Sequence, residues 1–548
     1  MFKIDSALLL LLSVGFAAAD DKVVIGEQDE TIAVMENLVD ACAIDFDPDA
    51  DIDFFPTKYS RPIIQSYGDI DIFGEKFVPH NTTDFLEITY HKTYKIVTNK
   101  HQDPPKNYLL YQCGTQIPED VVNANDFDLV LPIPHKGGIA LTQTPQIPYV
   151  ELLGLRDQVI AYIGNPRYVT SPCMSHMMGE EASIETIYTR NSTLQEANID
   201  DFRERHPDAI IVDGPGAEIK GGQVVVASTT QERTNVATFD WIHFYAAFFN
   251  MEGEANRIAT NVQDSYDCSS EVAKDIAQQQ RQLPEEKEKF KKPVIFWAKY
   301  FTYENLGWSV AECPTWDSTY YCEYAEHCGA TIISRPADFG YNRTFASSPT
   351  VYWYVSDEEA IKMGQDADVI IYSGDDWDKI YALKNETLDQ FKAVQNKMVF
   401  DTLGQGVSTW NEQRYAEYDV VGLDMCDVVG HASKTGPKHE RRWFRNVYTE
   451  PVGALASCDV EGGEISQPYV PPGQECVRPQ EKLPVEPISA SEDSVEAVSE
   501  DSVEVASEDS VEEDAGETSM TLDDSSAVSS SMTGLISVTL AIAYAATL

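Results

Sequence analysis

The residue types that most often perform catalysis are present, but they lack the spacing that a reaction needs. Four histidines do not stand in a metal-ligand pattern such as H-x-x-x-H: His135, His176, His243 and His327. Asp375 and Asp376 would point apart on a strand, so we expect a loop tip rather than paired catalytic carboxylates. The sequence has no G-x-S-x-G, Walker or H-E-x-x-H motif. It therefore predicts no catalytic and no metal-ligating residues.

Both ends of the chain carry the features of targeting signals. Residues 1–19 combine an early cation, a short apolar run and an A-x-A end, which is typical of a secretory signal peptide. Residues 532–548 are almost uniformly apolar and follow small residues and a short polar spacer, which is typical of a GPI-attachment signal. A C-terminal transmembrane anchor is the alternative. Both place the folded part outside the cytosol, at the cell surface or in an endomembrane lumen, and tethered to a membrane.

Cysteines and sequons agree with secretion. The ten cysteines form no C-x-x-C pair, so disulfides are expected rather than a zinc or redox site. Cys313, Cys322 and Cys328 are close enough for a local loop, although the sequence does not give the pairing. N-glycosylation is predicted at the four N-x-S/T sequons, which are Asn81, Asn191, Asn342 and Asn385.

The formal net charge of −50 excludes nucleic acid and makes direct binding to anionic lipid unfavourable. Ser-Glu-Asp-Ser-Val-Glu occurs three times, beginning at Ser491, Ser499 and Ser507. Residues 481–531 contain no aromatic residue, which predicts a disordered, self-repelling stalk. The 14 acidic residues of 491–524 leave 76 acidic and 40 basic residues elsewhere, so the folded body is itself acidic.

Alternating strand-like and helical runs predict two α/β lobes with parallel strands. Strands are expected at 85–97, 108–112, 139–142, 159–163, 208–212, 294–298, 331–334, 369–372 and 398–401. Helices are expected at 145–154, 194–205, 321–328, 357–364 and 388–396. Apolar residues recur every three or four positions over 239–268, which predicts one long helix. The expected division is a first lobe at 20–235, a linker helix region at 236–285 and a second lobe at 286–480.

Several segments resemble, in order, the metal-chelate class of periplasmic solute-binding proteins (class III, the FecB/BtuF/TroA-like superfamily). Residues 138–145 and 151–160 are similar to the opening strand and the LG-x-x-D-x-V-V-G segment of that class. The other similar segments are 206–212 (x-P-D-L-V-I), 239–266 (the interlobe helix) and 393–400 with 410–414 (A-V-x-x-G-x-V-Y … W-x-x-R). The resemblance covers about residues 128–430. It implies two Rossmann-like lobes, one joining helix and a ligand cleft between the lobes.

One position departs from the class. Its members carry a glutamate five residues before the Leu-Gly glycine, which docks onto a membrane permease, and Tyr149 stands there in this sequence. Docking onto a bacterial-type permease is therefore not expected.

The resemblance also bears on the ligand, because secreted algal proteins similar to this class are associated with cobalamin and with iron uptake.

In such a fold the ligand lies at the loops that follow the carboxyl ends of the strands. The candidate loops are 142–145, 165–172, 297–316, 352–354, 373–377 and 405–410. The predicted ligand contacts are Thr142, Gln143, Thr144, Arg167 and Tyr168 in the first lobe and Trp297, Lys299, Tyr300, Trp308, Trp316, Trp353, Trp377, Trp410 and Arg414 in the second. Tryptophans suit a bulky, largely neutral ligand, and a core position is the alternative for each of them.

These patterns predict a tethered binding protein, not an enzyme, that captures a metal chelate for uptake and hands it to a receptor or to endocytosis. Cobalamin is favoured, and a ferric siderophore is the alternative. The acidic body disfavours strongly anionic chelates. An acidic structural or adhesive glycoprotein is a further alternative, which a cleft filled by side chains would support. The basic-aromatic run 441–445 is expected to pair with surface acids rather than with ligand.

Overall fold

The protein is described from a computed structural model. The described residues are 23–25, 32–34, 37–55, 83–179, 183–216, 219–282, 291–302, 306–311, 313, 319–333, 335–344, 351–432, 439–455, 458, 476 and 478–479. The predicted signal peptide, stalk, C-terminal anchor and Asn81 lie outside them. All described residues belong to one of the two compact units of the chain, the one that holds Met1–Pro479. Within the described part, no helix combines the length and the apolar character that a bilayer crossing requires.

Two small sheets come first in the chain. The first contains β1 (Val23–Ile25), β2 (Ile32–Val34) and β3 (Ile52–Asp53). The second contains β4 (Leu86–Tyr90), β5 (Tyr94–Asn99), β6 (Lys106–Gln112) and β7 (Leu129–Ile133), with helix α1 (Glu119–Ala124) between its last two strands. In β5 every second residue is buried, as in a strand with one face on the core. The sequence predicted a single strand at 85–97, whereas the structure has two antiparallel strands there, β4 and β5, joined by a turn.

The first lobe is built on five parallel strands in the order β10-β9-β8-β11-β12. Its elements are β8 (Ile139–Leu141), α2 (Ile147–Leu152), β9 (Val159–Tyr162), α3 (Pro172–Met178), β10 (Glu185–Thr186), α4 (Ser192–Arg205), β11 (Ile210–Asp213) and β12 (Val224–Val226). Every residue of β8 and β11 is buried, because both faces of a parallel sheet are covered by other elements. The predicted parallel sheet with crossovers is confirmed.

Three helices follow the first lobe: α5 (Asn235–Phe239), α6 (Ile242–Phe249) and α7 (Glu252–Gln282). The prediction of one helix over 239–268 is wrong at its start. Asn250 has a φ of 56° and ends α6 in the left-handed conformation, which asparagine tolerates better than most residues. Its buried Nδ2 donates to the carbonyl of Leu38 and to Oε1 of Gln112, both at 3.0 Å, and these bonds hold the break in place.

The long helix that joins the lobes is α7. Its 31 residues span roughly 46 Å at 1.5 Å per residue. Buried apolar residues recur along it at intervals of three, four or seven residues, as at Ala255, Ile258, Val262, Tyr266, Ala273 and Ile276. One continuous core includes the first five of these residues together with residues of both lobes, so α7 packs on both lobes.

The second lobe is built on a mixed sheet of eight strands. The strands are β13 (Val294–Phe301), β14 (Gly307–Val310), β15 (Thr331–Ile332), β16 (Tyr341–Thr344), β17 (Val351–Val355), β18 (Val369–Tyr372), β19 (Val399–Asp401) and β20 (Arg445–Asn446). The helices are α8 (Tyr320–His327), α9 (Asp357–Gly364), α10 (Trp377–Leu388), α11 (Lys392–Gln395), α12 (Thr409–Glu412) and α13 (Tyr418–Val428). β13, β15, β18 and β19 run parallel, as predicted, whereas β14, β16, β17 and β20 add antiparallel edges that the sequence analysis missed. The single helix predicted at 388–396 is in fact the end of α10 and the short α11.

The ten cysteines form five disulfides, as the secretory pattern predicted. Cys313–Cys322 closes the predicted local loop. The other pairs are Cys42–Cys113, Cys173–Cys458, Cys268–Cys476 and Cys328–Cys426.

The sheets and helices described above form an α/β fold with two lobes and one long joining helix, which is the fold that the sequence predicts.

Candidate functional site

A cavity of about 50 Å³ lies at the carboxyl ends of three parallel strands of the second lobe, β13, β18 and β19. Loops after strand ends are where open α/β sheets place their ligands, because the backbone leaves the sheet there. The lining residues are Lys299, Ser373, Gly374, Asp375, Thr402, Leu403, Val407, Ser408, Trp410 and Asn411. We refer to this set as the strand-end cavity.

Trp410 forms the aromatic wall of the strand-end cavity. Its side chain is only 4% exposed and packs against Trp297, Trp443 and Phe444, with ring centroids 5.5–6.2 Å away. Its indole N–H nevertheless has no hydrogen-bond acceptor. This N–H is itself buried among the packed rings, and a buried donor without an acceptor costs free energy.

The charged groups of the strand-end cavity come in opposite signs. Lys299 is half-buried, and this burial lowers the pKa of its ammonium, while Asp375 and Asp376 act in the opposite direction. Asp375 is exposed at the cavity edge. Asp376 accepts a hydrogen bond of 2.6 Å from the hydroxyl of Tyr372. The cavity therefore offers both hydrogen-bond donors and acceptors with little net charge.

The two lobes meet at a buried carboxylate. Glu412, in α12, accepts hydrogen bonds from the backbone N–H groups of Thr170 (2.7 Å) and Ser171 (2.8 Å) of the first lobe. The Ser171 hydroxyl donates to Glu151, which also pairs with Arg156 at 2.9 Å. Burial raises the pKa of Glu412 to about 8, and the nearby charge of Glu151 adds to this effect. The contact between the lobes here joins a buried side chain of the second lobe to backbone N–H groups of the first.

A second carboxylate of the second lobe makes a similar contact. Glu323, in α8, accepts from the backbone N–H of Asn235 at 2.7 Å and from its Nδ2 at 2.9 Å. Asn235 is the first residue of α5, where helix N–H groups lack partners within the helix. Burial raises the pKa of Glu323 to about 7. Both carboxylates thus bind backbone N–H groups of the preceding half of the chain.

A disulfide crosslinks the same two halves. Cys173 lies in α3 of the first lobe, and Cys458 follows the segment that adds β20 to the second lobe. We expect the double variant Cys173→Ser/Cys458→Ser to lose about 2–4 kcal/mol of unfolding free energy, because the crosslink restricts the unfolded chain. Guanidinium titration of the purified protein measures this loss.

The local disulfide provides the matched control. The Cys173–Cys458 pair is separated by 285 residues and the Cys313–Cys322 pair by 9. The chain-entropy cost of a closed loop grows with its length, so Cys313→Ser/Cys322→Ser should lose less. An equal or larger loss for the local pair would contradict the expectation.

The predicted contacts of the first lobe do not line the strand-end cavity. Thr142 donates to Asp213 at 3.0 Å, while Gln143 and Thr144 begin a 3-10 turn that ends at Gln146. Arg167 and Tyr168 are exposed. Their contact with a ligand stays a prediction.

Among the predicted contacts of the second lobe, Lys299 and Trp410 line the cavity. Trp297, Trp308 and Trp377 are 2–4% exposed and lie in the two larger hydrophobic cores, which is the alternative stated for each tryptophan. Trp316 lies outside the described residues.

The remaining predicted contacts pack against aromatic or guanidinium groups of the second lobe. Tyr300 packs edge-on against Trp308 with centroids 5.0 Å apart. Trp353 is half-buried, and the Arg335 guanidinium lies 3.3 Å from its ring centroid. Arg414 is buried against aromatic rings, and its Nη1 donates to the Trp410 carbonyl. None of these three lines the cavity, and their contact with a ligand stays a prediction.

The basic-aromatic run 441–445 pairs with acids, as expected. Arg441 binds Asp427 and Glu450, and Arg445 binds Asp401. These acids are partly or fully buried rather than surface groups, so the run fixes β20 and its flanks to the lobe. Its cations are therefore engaged within the lobe.

Some residues of the site were not named as ligand contacts from the sequence. Five of them lie in the candidate loops 373–377 and 405–410, namely Ser373, Gly374, Asp375, Val407 and Ser408, whereas Thr402, Leu403 and Asn411 lie outside every candidate loop. The sequence signal for all of them is their position after β18 and β19. Glu412 and Glu323 carry no signal, because their partners lie 241 and 88 residues away.

One cluster of metal-ligand types occurs among the described residues: His327, Cys328 and Cys426. The two sulfurs are joined in a disulfide, so the thiolates that bind metals are not available. His327 Nε2 is 2.8 Å from the Ser269 hydroxyl, and burial lowers its pKa to about 3. These three residues form a structural group in the core.

No protein-family model matches the chain, and no curated protein matches it. Several solved structures are similar to it. The vitamin B12 binding protein BtuF of Vibrio cholerae is 14% identical with a TM-score of 0.32, and the match covers 55% of this chain and 98% of that one. A periplasmic haem-binding protein from Pseudomonas aeruginosa is 10% identical with a TM-score of 0.38, covering 57% and 99%.

A third similar structure is an ABC-type Fe³⁺-hydroxamate transport protein from Saccharomonospora viridis. It is 15% identical with a TM-score of 0.36, and the match covers 54% of this chain and 93% of that one. The solved structures to which this chain is similar are class III periplasmic solute-binding proteins, the class that its sequence resembles.

Proposed function

We propose that the chain is a solute-binding protein of the cell surface or an endomembrane lumen that captures a metal chelate for uptake. Cobalamin is the favoured ligand, and a ferric hydroxamate siderophore is the alternative. The observation that supports this proposal is the strand-end cavity. It lies where an α/β lobe presents ligands, has one aromatic wall, and combines Lys299 with Asp375. A mixed, weakly charged surface suits a large neutral chelate better than a polyanion.

Delivery is proposed to differ from that of a permease-coupled protein. Tyr149, at the position where the resembled class has its docking glutamate, is fully buried and donates to the Thr238 carbonyl at 2.7 Å. This position therefore offers no surface carboxylate to a permease. We propose that the C-terminal signal tethers the protein to the membrane, and that a receptor or endocytosis takes up the loaded protein.

Isothermal titration of the purified, oxidised protein with cyanocobalamin and with ferrichrome tests this function. We expect saturable heat with one chelate bound per chain. Heat from ferrichrome alone would assign the protein to iron and reject cobalamin. An absence of heat from both would contradict chelate capture.

A second candidate function is a structural or adhesive role for the acidic glycoprotein. The contact at Glu412 favours it, because buried side chains fill this junction between the lobes and Cys173–Cys458 crosslinks the same lobes. In that case neither chelate binds, and small-angle scattering curves with and without added chelate superimpose. A chelate-dependent change in the scattering curve would contradict this candidate.

A further inference from the structure

Exposed apolar side chains recur beside the predicted glycosylation sites. Eleven large apolar side chains are exposed in the described part of the chain. Four of them lie within three residues of a sequon asparagine: Tyr188 and Leu194 beside Asn191, Tyr341 beside Asn342, and Leu383 beside Asn385. A single exposed apolar side chain needs no explanation, since folded proteins commonly have several. The presence of such a neighbour at each of the three described sequons does need one.

The three sequon asparagines can carry a modification without loss of a contact. All three are exposed. A glycan is attached through Nδ2, and in the described part of the chain this atom makes no hydrogen bond in Asn191, Asn342 or Asn385. In two of them only Oδ1 is used, which accepts from the N–H of Leu194 at 3.1 Å and from the N–H of Glu386 at 2.9 Å. A sugar on Nδ2 therefore leaves the hydrogen bonds of the fold in place.

Asn342 lies where a cover would matter most. It belongs to β16, which is the end strand of the eight-stranded sheet and pairs with β17. Within the described residues no strand pairs with the other edge of β16, so a strand of a second molecule could pair there. Tyr341, next to Asn342, is 50% exposed and stacks on Tyr354 with ring centroids 5.6 Å apart. An exposed ring beside an open strand edge favours association between copies of the chain.

From this pattern we infer that Asn191, Asn342 and Asn385 carry N-glycans that cover the apolar side chains beside them and keep copies of the protein apart. Three residues of chain span at most about 11 Å, so a bulky oligosaccharide on each asparagine reaches its apolar neighbour. In the transfer, Nδ2 forms a bond to the anomeric carbon of a lipid-diphosphate-linked oligosaccharide and loses one proton. The bond between that carbon and the diphosphate oxygen breaks, and the lipid diphosphate leaves with the electron pair.

A glycan cover differs from charge repulsion in its dependence on salt. The acidic body repels a second copy, but the Debye length falls from about 8 Å at 0.15 M salt to about 3 Å at 1 M, so salt screens this repulsion. A steric cover acts at every ionic strength. Removal of the glycans should therefore have its largest effect in high salt. The inference does not depend on the ligand of the proposed function.

Peptide mass spectrometry tests whether the sites are occupied. The full chain is expressed in a eukaryotic secretory host and analysed before and after treatment with peptide-N-glycosidase, which converts a glycosylated asparagine to aspartate. We expect this conversion at Asn191, Asn342 and Asn385. An unmodified asparagine at one site would overturn the inference for that site, and unmodified asparagines at all three would overturn it entirely.

Analytical ultracentrifugation in about 1 M salt tests the covering role. We expect the wild type to remain a monomer and Asn342→Gln to raise the weight-average mass by up to about twofold, the value for a symmetric dimer. Adding Tyr341→Ser to Asn342→Gln should restore the monomer, because it removes the side chain that the glycan covers. Asn261→Gln, at an exposed asparagine of α7 outside any sequon, is the matched control and should remain monomeric.

Enzymatic removal of the glycans from the folded wild type is a second measurement, which does not depend on the folding of a variant. It should produce the same association. If the sites are occupied but neither Asn342→Gln nor enzymatic removal raises the mass, the covering role is overturned. Association that persists after Tyr341→Ser would overturn it as well. None of these outcomes bears on chelate capture, which the titrations test separately.

Discussion

Replacing Lys95 by methionine is expected to lower the free energy of unfolding by about 3–5 kcal/mol, because it leaves a buried carboxylate without its cation. Lys95 in β5 forms an ion pair with Glu252 at the start of α7, and both side chains are 0% exposed. Burial lowers the Lys95 pKa, and the charge of Glu252 opposes this. Urea or guanidinium unfolding at neutral pH measures the loss.

The chain contains a matched control three residues away. Lys92 pairs with Asp51, but these side chains are 52% and 43% exposed. Exposed pairs contribute about 0–1 kcal/mol, so Lys92→Met should be nearly neutral. The double variant Lys95→Met/Glu252→Gln should recover part of the loss, since no unpaired charge remains buried. Equal losses from Lys92→Met and Lys95→Met would contradict the expectation.

This ion pair connects a part of the chain that the family resemblance does not reach to the helix that joins the lobes. Lys95 belongs to the four-stranded sheet β4–β7, and its ammonium also lies 4.9 Å from the ring centroid of Phe55. Tyr90 of β4 contacts Glu252 at 3.5 Å. The additional sheet therefore fixes the amino end of α7.

The elements that the sequence predicts well are those whose local pattern agrees with their tertiary environment. β11 and β18 are apolar runs that become fully buried parallel strands. Helix α9 begins at a capping box of Ser356 and Glu359, and its predicted and observed bounds are the same. In these cases local and long-range interactions favour the same structure.

The sequence-based predictions are wrong where a contact with a residue distant in the chain determines the local structure. Asn250 interrupts an apolar stripe that continues on both sides, and the break is held by Leu38 and Gln112, more than 130 residues away. Trp308 was assigned to a ligand loop, but β14 places it in a core where its indole N–H donates to Asp357 at 2.9 Å. The spacing of apolar residues does not show which segments are buried by strands that come later in the chain.

Replacing Glu412 by glutamine is expected to reduce the pH dependence of the free energy of unfolding between pH 5 and pH 8. The pKa of Glu412 is about 8 in the folded protein, against an ordinary value of 4.5. The folded chain therefore keeps a proton that the unfolded chain releases. The associated stability is fully present below pH 4.5 and is lost as the pH rises through 8, at up to about 1.4 kcal/mol per pH unit and about 5 kcal/mol in all.

The surroundings of Glu412 determine what glutamine changes there. Glu151, paired with Arg156, is the charge that faces Glu412, and Tyr162 lies near enough for Glu412 to raise the pKa of Tyr162 further. The N–H groups of Thr170 and Ser171 bind different oxygens of Glu412, so the single oxygen of glutamine can keep only one of these bonds, but no charge has to be buried at high pH. Glu412→Gln should therefore be less stable than the wild type at pH 5, by about 1–3 kcal/mol for the lost hydrogen bond, and should lose less stability between pH 5 and pH 8.

Denaturant unfolding at pH 5, 6, 7 and 8 with the disulfides intact measures the two profiles. Glu358→Gln, at an exposed position of α9, is the control for the chemical change and should follow the wild type. Glu323 and Glu232, each with a pKa of about 7, and Asp419, with a pKa of about 6, remain in the variant, so a smaller slope should persist. A Glu412→Gln profile as steep as the wild type would show that this carboxylate does not bind the extra proton. A flatter profile would mean that the junction between the lobes weakens as the pH rises, because the carboxylate that bridges them must then be buried as an anion.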